Sequence, residues 1–292
     1  MVGPTGCGKT ALALGLADRC RLEVVSADSR TVYRWMDIGT AKPTAAERAR
    51  VPHHLIDLVD PDEPYTLAQY QAAALGAIAR VFERGGLPVL VGGAGLYVSA
   101  VCDGLRLPDV APDVEFRSAL EARAKSEGWA ALQAELQRVD PESADRIEPR
   151  NVRRVIRALE VHHVTGIPFS SFQQRTPTPF RPVFVGINVD RAELYTRIDA
   201  RIDAWMVHGF VDEVQALLAR GYDETLPSMS SIGYREIARM LRGLLTRGEA
   251  TTQIKHATHQ YAKRQLTWFR RDQRIQWLRQ PTPEDILSLL DG

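Results

Sequence analysis

The sequence predicts an α/β protein, a P-loop parallel-sheet core split by an inserted all-helical domain. A glycine-rich phosphate-binding motif opens the chain. Short β-branched runs alternate with helix-period stretches over residues 1–103 and again over 182–292, which is the alternation of a parallel sheet. Residues 104–181 carry helical periodicity and no convincing strand, so they form the expected insertion, with the core divided into a first and a second part around it.

The elements follow in order. A helix is expected over residues 9–19 and a strand over 22–26. Residues 65–84 space Ala, Leu and Ile helically and stop at Gly85-Gly86, and 87–91 form a buried strand ending at Gly92-Gly93. Pro108 and Pro112 break the chain before three helices at 113–126, 129–139 and 151–165. Strand texture returns at 184–189, followed by a long helical region over 191–220 with a break at Gly209. Helices at 234–242 and 251–271, a short strand at 275–278 and a last helix complete the chain.

Composition excludes several classes. Of 292 residues, 45% are apolar and 25% charged, as in ordinary globular proteins rather than disordered chains or fibres. Lys and Arg number 37 against 36 acids, so any basic surface must come from local segregation. Cys7, Cys20 and Cys102 lack metal-ligand spacing. His53-His54 and His162-His163 also lack it, and turn or packing roles are expected for them. No apolar run approaches the roughly 20 residues of a membrane helix. No membrane association and a cytoplasmic location are expected.

Gly3-Pro4-Thr5-Gly6-Cys7-Gly8-Lys9-Thr10 fits the pattern GxxxxGK[ST]. Glycines let backbone N–H groups turn inward on phosphate oxygens, and the following helix adds its positive end. Lys9 supplies a cation, and the Thr10 hydroxyl can hold a phosphate-bound Mg²⁺. Such a motif normally follows a buried strand, yet only Met1 and Val2 precede Gly3. The first strand is expected to be missing here or to lie upstream. The apolar run Val89-Leu90-Val91 ends in glycines rather than the Asp usual in nucleotide hydrolases. The available carboxylate is Asp28, just past Val24-Val25-Ser26. It stands at the carboxyl end of the sheet, where open α/β folds bind ligands. It can coordinate a metal, take a proton from a nucleophile, or merely shape a turn. On these residues alone the leading reading is a small-molecule kinase using ATP; a nucleotide-dependent RNA-binding switch is the other.

Longer runs narrow the choice. Ser26-Ala27-Asp28-Ser29-Arg30-Thr31-Val32-Tyr33, Met36-Asp37-Ile38-Gly39-Thr40-Ala41-Lys42-Pro43, Pro52-His53-His54-Leu55-Ile56-Asp57 and Gly92-Gly93-Ala94-Gly95-Leu96-Tyr97 closely resemble the tRNA dimethylallyltransferase (isopentenyltransferase) family. So do Arg157-Ala158-Leu159-Glu160-Val161, Gly233-Tyr234-Arg235-Glu236 and Tyr261-Ala262-Lys263-Arg264-Gln265-Leu266-Thr267-Trp268. The resemblance runs in order over nearly the whole chain. It implies a kinase-like P-loop core with a helical insertion that clamps the tRNA anticodon stem-loop, in a cytoplasmic monomer. It implies transfer of a dimethylallyl group from dimethylallyl diphosphate to N6 of adenosine 37 in tRNAs reading codons that start with U. Asp28 would be the general base, Lys9 and Arg201 would hold the leaving diphosphate, and residues 3–10 would cradle it, with Thr5 and Thr10 in the phosphate and Mg²⁺ shell. The implied tRNA contacts are Asp28, Ser29, Arg30, Thr31, Ala94, Arg117, Arg153, Arg154, Arg157, Ser230, Ser231, Ile232, Gly233, Tyr234 and Arg235. Ala94 departs from the family's usual Thr and loses a hydroxyl.

Two basic clusters hide inside the balanced charge. Residues 146–157 hold Arg146, Arg150, Arg153, Arg154 and Arg157 against Glu148 alone. Residues 255–279 hold seven cations and one acid, Asp272, among Tyr261, Trp268, Phe269 and Trp277. Both suit phosphates, and the aromatic residues are expected mainly as packing. Arg197 and Arg201 lie four apart, on one helix face.

Overall fold

The computed structural model describes residues 1–173 and 175–290, in two compact units. The first comprises Met1–Tyr65, Tyr70–Val98 and the chain from Phe180 onward; the second comprises Thr66–Gln69 and Ser99–Pro179. The second unit thus takes in residues 99–103, ahead of the expected start at 104.

Before the insertion come α1 (Lys9–Ala17), β1 (Leu22–Ala27), α2 (Ala45–Arg50), β2 (His53–His54), α3 (Leu67–Glu83), β3 (Leu87–Gly92) and α4 (Gly95–Cys102). The insertion carries α5 (Val114–Glu127), α6 (Trp129–Val139), α7 (Pro141–Arg146), α8 (Val152–Thr165) and a 3-10 turn, Phe169–Gln173. After it come β4 (Val185–Asn188), α9 (Arg191–Val207), α10 (Phe210–Ala219), α11 (Tyr234–Leu241), α12 (Arg247–Phe269), β5 (Gln276–Arg279) and α13 (Pro283–Ser288). The expected break at Gly209 is real: its φ of 99° suits glycine and ends one helix while capping the next. Helix α12 starts four residues before the expected 251, because Thr246 and Glu249 form a capping box.

The strands pair in parallel as β2-β1-β3 and β4-β5. Val2 bridges Gly92 on one side and Gly186 on the other, also in parallel. Its N–H donates to Val185 O at 2.8 Å, and its carbonyl accepts from Ile187 N at 3.1 Å. The position of the expected first strand is therefore held by Val2, which joins both strand groups. Strand β1 is buried along its whole length, as a central parallel strand should be. Its one acid, Glu23, is paired with His54 at 2.6 Å and Arg84 at 2.8 Å, so His54 serves as a polar partner to a buried acid. At the carboxyl ends, a Cβ on Gly92 would collide with the Ala27 carbonyl. That close approach brings the residues after β1 and β3 together.

The second unit has its own core of Leu120, Leu132, Leu136, Ile147, Val155 and Leu159, with smaller neighbours. Thr176 N donates to Gly104 O at 2.8 Å, tying together the chain that enters and leaves. Glu160 is completely buried. It accepts from Arg117 at 2.7 and 2.8 Å, Arg157 at 2.5 Å and Asp113 N at 2.8 Å. Burial alone would push the Glu160 carboxyl up, but these donors outweigh it and hold it below the usual carboxylate range. Arg117 and Arg157, expected to face tRNA, thus compensate a buried acid inside the helical unit. Arg153 and Arg154, on the same helix as Arg157, are exposed. His163 stacks on Phe116.

Candidate active site

A cavity of about 620 Å³ opens in the first unit at the carboxyl ends of β1 and β3. The phosphate loop, α9, α12 and residues 230–232 form its other walls. Among the described residues that line it are five fixed cations, Lys9, Arg30, Arg197, Arg201 and Arg264, and a single carboxylate, Asp28. Such an excess of positive charge in a concave site concentrates polyanions. His53 also lines the cavity. Burial pulls its imidazole below the ordinary value, so it adds no charge at neutral pH. Burial pushes the Tyr261 phenol up to about 12, which removes it as a base.

The loop before α1 curls because Gly6 (φ 83°) and Gly8 (φ 97°) take the left-handed region. Of residues 3–10, Thr5, Gly6, Gly8, Lys9 and Thr10 line the cavity. Gly3, Pro4 and Cys7 are not among the lining residues. Instead, the Gly3 and Pro4 carbonyls accept from Lys9 Nζ at 3.0 and 2.8 Å. The Cys7 side chain is buried. Gly3 and Pro4 therefore hold the ammonium at the mouth of the cradle.

Arg201 reaches the same loop from α9. It donates to Thr5 Oγ1 at 2.7 Å and stacks its guanidinium over Trp205 at 4.8 Å. Its Nε is buried without a partner, and no acid pairs with it among the described residues. Burial pulls the guanidinium down from its usual value, but an Arg remains charged. A half-buried cation on a cavity wall, with no protein counter-ion among the described residues, suits an anionic ligand. Because Thr5 Oγ1 accepts from Arg201, its own hydrogen is left to donate into the cavity. Arg197, one turn away, lines the cavity while pairing with Glu193 at 2.5 Å.

Asp28 follows β1 directly. Its Oδ1 accepts from Arg30 N at 2.8 Å, so it does shape a turn. That contact fixes the carboxylate and leaves Oδ2 without a partner among the described residues. Ser29, Arg30, Thr31, Ser230, Ser231 and Ile232 also line the cavity. The Thr31 hydroxyl is buried against Ser26 Oγ at 3.0 Å, and Arg30 donates to Pro227 O at 2.8 Å. Ala94, Gly233, Tyr234 and Arg235 are not part of the lining. The Tyr234 ring is wholly buried, and its hydroxyl donates to Glu213 at 2.6 Å. Gly233 abuts the Phe210 ring with no room for a Cβ, and Arg235 pairs with Glu236.

Sequence reasoning missed Glu213. From the first turn of α10 it accepts N–H bonds from Asp37 (3.0 Å), Ile38 (2.7 Å) and Gly39 (3.4 Å). It thereby fixes the loop whose Gly39, Thr40 and Ala41 line the cavity. An acid early in a helix has an ordinary explanation in the helix dipole, so no pattern singles it out. Tyr261, expected mainly as packing, lines the cavity, and so does Gln265, to which no role was attached. The basic stretch 255–279 is not uniformly free: Lys255 pairs with Asp203 and Arg274 with Asp272. Phe269 is buried, whereas Trp268 is 45% exposed and packs against Gly95. No group of three or more potential metal-ligating His, Cys, Asp or Glu side chains occurs among the described residues.

A family model described as IPP transferase matches residues 31–272. A tRNA dimethylallyltransferase of Roseiflexus castenholzii is 56% identical over 271 residues, which is 93% of this chain and 89% of that protein. One of Thermomicrobium roseum is 50% identical over 277 residues, 95% and 84% of the two chains. Among solved structures, the full-length tRNA isopentenylpyrophosphate transferase from Bacillus halodurans aligns with a TM-score of 0.71 at 42% identity, over 99% of this chain and 93% of that one. A eukaryotic dimethylallyltransferase acting on tRNA aligns at 0.80 with 27% identity, over 95% and 72%.

Proposed function

The chain belongs to the IPP transferase family and prenylates tRNA, and on that premise we propose its donor, its acceptor atom and its catalytic groups. The donor is dimethylallyl diphosphate. The acceptor is N6 of adenosine 37 in tRNAs that read codons starting with U, and the enzyme works as a cytoplasmic monomer. The observation that carries this reading is that, among the described residues, Asp28 is the lone carboxylate on a cavity wall whose fixed cations number five. A polyphosphate needs the cations; a single proton acceptor suits one weakly acidic nucleophile.

The adenine amine is a poor nucleophile because its lone pair is delocalised into the ring. An allylic diphosphate compensates by letting its C–O bond break early. The N6 lone pair forms the new bond to the prenyl carbon, and the C–O electron pair leaves with the diphosphate. Backbone N–H groups at Gly6, Gly8 and Lys9, the Lys9 ammonium and the Arg201 guanidinium meet that developing charge. The free oxygen of Asp28 takes the N6 proton. The adenosine must be extruded from its stack to enter the cavity.

Mg²⁺ fits the residues present. The Thr10 hydroxyl and the Asp28 carboxylate are hard oxygen donors on the cavity wall, and Mg²⁺ takes few protein ligands beside phosphate and water. When bound, it neutralises charge on the diphosphate. Thr10 would hold it.

Donor choice tests the function. The enzyme should release diphosphate from dimethylallyl diphosphate only when tRNA is present, with no need for ATP. Phosphate transfer from ATP to a small hydroxyl acceptor would mark a kinase instead. For the RNA itself, Arg154→Ala should weaken tRNA binding and make it less steep in salt, as loss of one phosphate contact does. An unchanged slope in a binding titration across salt concentrations would remove Arg154 from the interface.

A further inference from the structure

We infer that Gln265 is a positioning residue that sets the anion cradle, and this deepens the reading above, on which it rests. The side chain is 5% exposed and stands on α12, 260 residues from the loop it serves. Its Oε1 accepts from Thr5 N at 2.8 Å, and its Nε2 donates to Gly93 O at 3.0 Å. The two partners fix the amide's orientation, since Thr5 N–H can only donate and the Gly93 carbonyl can only accept. A single side chain thus ties the phosphate loop to the turn after β3.

The link reaches further on both sides. Thr5 is the residue whose hydroxyl receives Arg201, so the anchor at Thr5 N also places the acceptor for that guanidinium. Gly93 follows Gly92, whose backbone lies against Ala27 just before Asp28, and Ala94 N donates to Ala27 O at 3.1 Å. The Thr5 N–H is committed to Gln265 and is withdrawn from the set that can meet phosphate. Gln265 therefore decides which loop donors face the diphosphate and holds them in register with the segment that carries Asp28. A Cβ on Gly93 would collide with Gln265 Nε2, so the turn is built around this amide.

The mechanism of the link predicts a pH signature. Gln265→Glu keeps an acceptor for Thr5 N–H, but its ionised form sets a second oxygen against the Gly93 carbonyl and adds a negative charge beside the cradle. Its protonated form restores a donor to Gly93. Burial and the facing carbonyl raise the pKa of such a carboxyl. Gln265→Leu keeps similar bulk and can never restore either bond.

Inorganic diphosphate is the probe, titrated calorimetrically into the full chain, with melting temperatures taken in parallel. At alkaline pH, Gln265→Glu should bind it about ten- to a hundredfold more weakly than wild type, the size of one unpaired buried group. The ratio of the two affinities should close as pH falls toward about 5, whereas Gln265→Leu should stay weak throughout. Three results would overturn the assignment: wild-type affinity in both variants, a Gln265→Glu deficit independent of pH, or a lowered melting temperature with affinity intact. If Gln265→Glu does not fold at alkaline pH, the Leu variant decides alone, by its affinity. A wild-type chain that takes no diphosphate would overturn the donor reading itself, and this inference with it.

Discussion

Replacing Asp28 with Ala should lower turnover by about 10²–10⁴-fold, the usual loss when a positioned general base is removed. Affinity for tRNA should fall far less. Three facts set the expectation. Asp28 is the lone carboxylate on the cavity wall among the described residues. Its Oδ1 is held by Arg30 N, so the other oxygen is fixed in place. The remaining candidates are less suited: burial pushes Tyr261 up to about 12 and pulls the His53 imidazole down, which weakens it as a proton acceptor. Asp28→Asn separates the two jobs of the side chain, because the amide oxygen can still accept from Arg30 N while no proton is taken. It should be nearly as inactive as Asp28→Ala. Single-turnover rates within a few-fold of wild type for either variant would remove Asp28 from the chemistry.

Arg201→Met should cost about 10²–10³ in turnover, as for removal of a fixed donor to a developing negative charge, without lowering the melting temperature. The two halves of that result come from one geometry. The half-buried guanidinium has an orphaned Nε and no acid partner among the described residues, so its charge is uncompensated within the fold. Met removes that charge and keeps an apolar stem to pack on Trp205, over which Arg201 now stacks. A group that stabilises the reaction at the expense of the fold is the expected signature of a functional site. Steady-state diphosphate release and a thermal melt together check it. A large drop in melting temperature with activity preserved would make Arg201 a packing residue.

The parts of the site that sequence reasoning reached are those encoded locally. The glycine spacing of the phosphate loop and the position of Asp28 just beyond an apolar run are short-range patterns, and the structure places both on one cavity. Arg201 was reachable only through family resemblance, because an Arg on a helix face carries no local mark of burial. Glu213 and Gln265 were illegible for a related reason. Each acts through bonds to residues far away in the chain, Asp37–Gly39 in one case and Thr5 and Gly93 in the other. The pairing of Arg117 and Arg157 with Glu160 was not foreseen, because nothing in the sequence marks Glu160 as a buried acid. The three-residue spacing of Arg157 and Glu160 was a usable hint of that pair. The short helices α2 and α7 were passed over although Thr44 and Glu47 form a capping box and Asp140 caps α7; elements of six residues leave too little periodicity to see.

The central claim is that this cavity delivers a carbon electrophile, not a phosphoryl group, to an extruded adenine. Mass spectrometry of nucleosides from tRNA incubated with the enzyme and dimethylallyl diphosphate tests it most directly. The expected product is an adenosine heavier by one isoprene unit, modified at N6 and found at position 37. Unmodified nucleosides alongside consumed donor, or a phosphorylated product in place of the prenylated adenosine, would contradict it.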